Sequence, residues 1–252
     1  MTLSTDELIA RIASVPGPSR QDIWLQIIEK VQAKDFLELG VLRGDYAEII
    51  LRNCPSIARY YMLDPWRHLE DWNKPSNVDQ AMFDDIYAIA MAKTDFARDR
   101  RIVLRGRTTE TIDEIPDESL DIAYVDGDHT LRGIAIDLIR TYPKVRAGGI
   151  LGGDDYTRTI WQHAQNFEPS LVCPFAAYFA ESQSAPIVIF PRGQFAIIKP
   201  SEPGQHFRVI DTTHSYGART LLNQMRKQGY RHRILRKLRQ LLAVGARNHK
   251  SI

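Results

Sequence analysis

Four aspartates stand in two short runs, Asp126-Gly127-Asp128-His129 and Gly152-Gly153-Asp154-Asp155-Tyr156, each preceded by an apolar stretch. Acids at the carboxyl ends of buried parallel strands point into the crevice where such sheets bind ligands, and their mutual repulsion calls for a cation. Donors made only of oxygen suit Mg²⁺, Mn²⁺ or Ca²⁺ better than zinc. A plainer use for Asp126 or Asp128 is to cap the helix that follows. His129 has three open roles: a base, a hydrogen-bond partner, or a polar residue at a helix start.

Upstream, Phe36-Leu37-Glu38-Leu39-Gly40-Val41-Leu42-Arg43-Gly44 runs from an apolar strand pattern through a glycine turn into a helix pattern. This is how an α/β fold brings its backbone against a nucleotide-like ligand. Asp64 ends the next strand pattern, where an acid can accept hydrogen bonds from ribose hydroxyls. The third glycine of a dinucleotide fingerprint is absent, because Ala47 stands three residues after Gly44, which demotes NAD. A glycine pair alone also fits a tight turn with no ligand.

These residues need a scaffold. Strand patterns recur at Phe36 to Leu39, Tyr60 to Leu63, Ile102 to Leu104, Ile122 to Val125, and Ile150 to Leu151. Helical patterns lie between them, at Tyr46 to Arg52, Val78 to Arg98, Thr109 to Ile115 and Leu131 to Tyr142. The alternation predicts an α/β, doubly wound, mostly parallel sheet with helices on both faces. Pro186 to Phe190 and Phe195 to Ile198, joined by Pro191-Arg192-Gly193-Gln194, predict a terminal antiparallel hairpin. Before the first strand, Ser4 and Ser19 open two helices broken by Pro16-Gly17-Pro18, and these are expected to cover a sheet edge. The expected division is a helical cap over 1–34, a central domain over 35–200 and a basic helical extension over 201–252.

The chain of 252 residues, 44% hydrophobic, can bury a full core, which excludes disorder throughout. Cys54 and Cys173 are far apart without CxxC spacing, so neither a zinc site nor a disulfide framework is indicated. The first ten residues have no apolar leader pattern and no apolar run reaches ~18 residues, so a soluble cytoplasmic protein is expected. The net charge of +2 hides a division: Thr212 to Ile252 carries ten Lys or Arg and no acid, and the body before it is acidic, which disfavours nucleic acid in the main cleft. Leu221, Leu222, Met225, Ile234, Leu235, Leu238, Leu241 and Leu242 form an apolar stripe among those basic residues. Docking on its own domain, contact with a second subunit in a homo-oligomer, and attachment to an anionic membrane surface stay open for this segment.

Taken together, Glu38 to Gly44, Leu63-Asp64-Pro65-Trp66, Tyr124 to His129 and Gly148 to Tyr156 resemble class I S-adenosylmethionine-dependent methyltransferases, in the bacterial group that includes macrocin-type sugar O-methyltransferases. The resemblance spans about Asp35 to Pro200. It implies a seven-stranded Rossmann-like sheet with an antiparallel last strand. It also implies roles. Glu38, Gly40 and Gly44 would line the methionine part of S-adenosyl-L-methionine, Asp64 would hold the ribose, and Arg107 and Thr108 would pass the adenine, with Asp126 at the junction of cofactor and cation. Asp126, Asp154 and Asp155 would bind Mg²⁺, Mn²⁺ or Ca²⁺, and Asp128, with His129 beside it, would be the base. The acceptor would be a small-molecule hydroxyl on a sugar, glycoside or related compound, in a pocket built from Trp66 to Ser76, Tyr156 and the aromatic stretch beyond. Two further classes stay open: a metal-independent methyltransferase acting on another acceptor, including nitrogen or nucleic acid, and a non-catalytic cofactor-binding or assembly protein.

Overall fold

The computed structural model describes residues 3–157, 159–160, 162–164 and 166–215. The basic stripe expected over 219–252, and with it any oligomer or membrane contact through that segment, lies outside the described residues, as does Trp161.

Buried β-branched and aromatic runs form β1 (Asp35–Leu39), β2 (Arg59–Asp64), β3 (Arg101–Arg105), β4 (Leu120–Val125) and β5 (Val145–Gly153), all parallel. The hairpin of β6 (Ile187–Ile189) and β7 (Phe195–Ile198) is antiparallel, and β7 pairs antiparallel with β5. The described residues form a sheet of eight strands rather than seven, in the order β3-β2-β1-β4-β5-β7-β6-β8, because β8 (Val209–Asp211) adds itself parallel to β6. Val209–Asp211, within the segment expected to be a helical extension, therefore belong to the sheet, and Met1–Ser215 form one unit.

Helices cover both faces. Ser4 caps α1 (Thr5–Ala13) in a capping box with Glu7, and the Ser19 hydroxyl caps α2 (Arg20–Val31) by accepting from the Asp22 amide. These two helices pack on a face, not an edge. Trp24 of α2 is fully buried, lies against Gly152 of β5, and meets the Tyr124 ring of β4 edge-on at 5.1 Å. On the same face lie α3 (Asp45–Asn53) and α4 (Gln80–Lys93); of the apolar α4 residues, Phe83, Ile86 and Ala90 are buried while Met82 faces solvent. The short α5 (Thr108–Thr111), α6 (Leu131–Thr141) and α7 (Val172–Ser182) complete the set; α6 packs against both α5 and α7. Among the described residues no helix is long and apolar enough to cross a membrane.

The strand order reverses direction between β1 and β4. Such a switch point opens a crevice at the carboxyl ends of the strands, where Glu38, Asp64, Asp126 and Asp154 are found.

Candidate active site

A cavity of about 420 Å³ lies at this switch point, within the range of small-molecule sites. Its floor is the turn after β1. Gly40 has φ +90°, and a Cβ there would stand 2.2 Å from the Asp126 carbonyl oxygen, so only glycine lets the turn after β1 approach the end of β4 this closely. Gly40 N–H donates to the Leu63 carbonyl at 2.9 Å and Asp126 N–H to the Leu39 carbonyl at 2.7 Å, which ties three strand ends together. Gly44 stands where the helix starts, as the pattern has it: it caps α3 with φ +72° and packs against Ala90 of α4, between Arg43 and Asp45 of the cavity lining.

Asp64 braces the turn. Its two oxygens accept from Leu42 N–H at 2.9 Å and from Trp66 N–H at 2.8 Å, and burial raises its pKa against these hydrogen bonds. Trp66 is fully buried and donates Nε1–H to the Leu42 carbonyl, so it secures the loop from the core side. Glu38 is buried and accepts from Tyr60 OH at 2.7 Å; burial raises its pKa well above the usual range, opposed by that hydrogen bond. Arg107 and Thr108 line the far end, where Arg107 pairs with Asp71 at 2.5 Å.

The carboxylates gather as expected, but the cations among them are the chain's own. Arg20 Nη1 donates to Asp126 Oδ2 at 2.7 Å and also to Asp154 Oδ2. His129 Nδ1 pairs with Asp155 Oδ2 at 2.5 Å, and its Nε2 lies 3.4 Å from Asp126 Oδ1, at ion-pair range without hydrogen-bond alignment. Burial opposes a charge on His129, but its two acidic neighbours prevail and raise its pKa to about 10. Each ring nitrogen of His129 thus faces a carboxylate, the hydrogen-bond-partner role among the three open to it. Asp155 has φ +62°, a turn that brings its carboxylate to His129; although burial opposes its charge, His129 holds its pKa below the ordinary value. Asp154 does not line the cavity. Its Oδ1 accepts from Gln194 Nε2 at 2.6 Å and from Asp155 N–H at 2.7 Å. Buried Gln194, in the β6–β7 turn, also accepts from Trp24 Nε1 at 2.9 Å. Among the described residues, donor atoms of Asp126, His129 and Asp155 lie within 4.8 Å of one another, and Asp154 joins Asp126 through the Arg20 bridge.

Asp128 is set apart from these pairs. Its Oδ1 accepts from Trp72 Nε1 at 3.0 Å and from Thr130 N–H at 2.9 Å, the turn that leads into the Thr130 cap of α6. Its carboxyl group lies over Gly133, where a Cβ would stand 2.1 Å from Asp128 Cγ. The cap of α6 is therefore Thr130, and Asp128 braces the turn before it while lining the cavity.

Several site residues carried no usable signal in the sequence. Arg20 is 106 residues from Asp126 and reaches it only once α2 docks. Tyr46 stacks on Tyr124, and its buried hydroxyl, at the cavity wall, has no hydrogen-bond partner among the described residues. Asp137 on α6 is buried; Oδ1 accepts from Thr108 Oγ1 at 2.6 Å while Oδ2 has no hydrogen-bond partner there. Orphaned polar atoms of this kind fit a polar ligand rather than a dry core.

Burial raises the Asp137 pKa from 3.8 to about 7, against the Thr108 hydrogen bond. The unfolded carboxyl releases its proton first, so folding stability falls as pH rises from about 4 to about 7, then levels. Asp137→Asn should remove that slope, matching the parent near pH 4 and exceeding it at pH 8 by up to about 4 kcal/mol. Thermal unfolding across this range tests it; a difference constant with pH contradicts it.

Residues 37–156 match a family model described as a methyltransferase domain. No curated protein matches the chain. Among solved structures, the O-methyltransferase from Bacillus cereus in complex with SAH is 18% identical, with 77% of this chain and 90% of that one covered and a TM-score of 0.51. The SAH-bound methyltransferase PaMTH1 of Podospora anserina is 15% identical over 77% and 88%, with a TM-score of 0.51. The O-methyltransferase TomG from Streptomyces achromogenes, in complex with SAM, is 12% identical over 80% and 93%, with a TM-score of 0.50. At these identities the likeness is one of fold: a Rossmann-like methyltransferase sheet ending in an antiparallel hairpin. Residues 37–156 are thus similar in sequence to a methyltransferase domain, and the fold of the chain agrees with that likeness.

Proposed function

We propose that this chain is an S-adenosylmethionine-dependent O-methyltransferase of the macrocin-like group, acting on a hydroxyl of a sugar, glycoside or other small molecule. The observation that carries the reading is the juxtaposition, at one switch-point cavity, of a glycine floor with orphaned polar groups and a half-engaged carboxylate, Asp128.

When bound, S-adenosylmethionine supplies a methyl group made electrophilic by a sulfonium. The Gly40 floor and the Tyr46 hydroxyl would hold its amino-acid end, Asp64 its ribose, and the Arg107–Thr108 segment its adenine. The cofactor would supply the methyl carbon to an acceptor oxygen, its sulfur keeping the electron pair of the broken carbon–sulfur bond. Asp128, steadied through Oδ1 by Trp72, receives the hydroxyl proton on Oδ2. General-base help of this kind contributes about 10²–10⁴-fold, while alignment of two reactants supplies up to about 7–11 kcal/mol, so positioning is the larger effect.

The donor chemistry of the cluster also fits a hard divalent ion, since Asp126, Asp155 and His129 place ligand atoms within 4.8 Å and Asp154 adjoins them through Arg20. Such an ion would lower the acceptor hydroxyl's pKa. Incubation with methyl-labelled S-adenosylmethionine and a panel of sugar and phenolic acceptors, with and without EDTA, tests the reading. Label on an ether oxygen, reduced by EDTA, is expected. Label only on nitrogen, or cofactor binding with no transfer to any acceptor, contradicts it.

A further inference from the structure

Arg20 is the first residue of α2, and its backbone is fixed by the Ser19 cap and by burial of Trp24 and Ile23 further along the helix. Its guanidinium lies over the Tyr46 ring at 5.7 Å. One nitrogen, Nη1, bridges Asp126 Oδ2 and Asp154 Oδ2, two oxygens from separate strand ends. Burial would disfavour its charge, but Tyr124, Asp126 and Asp154 raise its pKa, so the side chain stays a cation at every working pH.

A hard divalent ion sits roughly 2.0–2.6 Å from its oxygen ligands. A nitrogen at 2.7 Å from Asp126 Oδ2, and closer to Asp154 Oδ2, already fills the volume that an ion shared by these two oxygens would need. The carboxylates cannot simply turn aside. Gln194 and the Asp155 amide hold the other oxygen of Asp154, and His129 faces the other oxygen of Asp126. What can move is the long, one-third-exposed Arg20 side chain.

We infer that Arg20 is a resident counter-ion that competes with a divalent cation for the Asp126–Asp154 pair, so that α2 sets the metal affinity of the site. The inference rests on the proposed metal reading. With Arg20 in place the carboxylate pair is balanced without metal; with Arg20 withdrawn, it becomes a divalent site. Competition for shared ligands is a coupling between two bound states, and such couplings commonly amount to 5–150-fold.

The test uses the full chain and Mn²⁺ alone, followed by electron paramagnetic resonance of the free ion. Arg20→Gln, which keeps a polar side chain but removes the charge, should bind Mn²⁺ at least about tenfold more tightly than the parent, and Arg20→Lys, which keeps the charge, should stay near the parent. Circular dichroism supplies a second readout. Arg20→Gln should unfold at lower temperature than the parent without metal, with Mn²⁺ restoring it. If the variant is unfolded at the outset, recovery of its fold on adding Mn²⁺ supports the inference and failure to recover overturns it. Equal affinity in parent and Arg20→Gln overturns the role of Arg20 while the metal reading stands. No Mn²⁺ binding by either overturns both, leaving the cofactor site to be judged by S-adenosylhomocysteine binding to the parent.

Discussion

Asp128→Asn should reduce methyl transfer by about 10²–10⁴-fold while S-adenosylhomocysteine binds as in the parent. Asparagine can still accept from Trp72 Nε1 and from the Thr130 amide through its carbonyl, so the turn into α6 survives. What is lost is the oxygen able to take a proton. The separation of effects is the informative part: turnover measured at saturating cofactor falls, and the calorimetric affinity for S-adenosylhomocysteine does not. Loss of both together would mean that Asp128 holds the fold or the cofactor instead of serving as the base. Unchanged turnover would move the base role elsewhere in the cluster.

The other large effect is expected at Gly40→Ala. The glycine's φ of +90° alone disfavours a side chain by about 1–2 kcal/mol, and the added methyl would lie 2.2 Å from the Asp126 carbonyl oxygen, a backbone atom that cannot rotate away. Relief requires the β1 and β4 ends to separate, and the cavity floor lies between them. The variant should lose measurable affinity for S-adenosylhomocysteine and unfold several degrees below the parent, at about 2–4 °C per kcal/mol. An alanine variant with parental affinity would show that the glycine turn is only a turn.

Much of this architecture was readable from local patterns. The strand, glycine turn and helix from Phe36 onward, the acids at strand ends and the hairpin are each coded within a few residues, because periodicity and turn chemistry are local properties. Three features were not. Four glycines dilute the apolar pattern of β5, so only its Ile150–Leu151 centre was legible; Gly152 meets Trp24 and Gly153 the Val125 carbonyl, and both neighbours are remote in sequence. The helix α7 is apolar on most sides and carries Pro174 in its first turn, where proline is tolerated, so no amphipathic stripe marks it. The strand β8 is three residues long and recognisable only by what it pairs with.

The site divides along the same line. The positions of Asp126, Asp154 and Asp155 at adjacent strand ends follow from topology, and their charge repulsion calls for positive partners. Which cation compensates them depends on Arg20, a surface-like residue at the start of a helix far upstream. Gln194 is a similar case. As a hairpin residue it looks like turn filler, but it is buried and orients Asp154. His129 is a further case: its residue type leaves several roles open, and its two carboxylate neighbours come from packing of Asp126 and Asp155 around it. Side-chain chemistry names the candidates, and long-range packing assigns the partners.

The most direct measurement is a crystal structure of the chain soaked with S-adenosylhomocysteine. The ligand should lie across the Gly40 turn with its ribose at Asp64, its adenine beside Arg107 and Thr108, and its sulfur facing the open space next to Asp128. Ligand density in another cavity, or a sulfur turned away from Asp128 with no path from that carboxylate to the donor, would contradict the account.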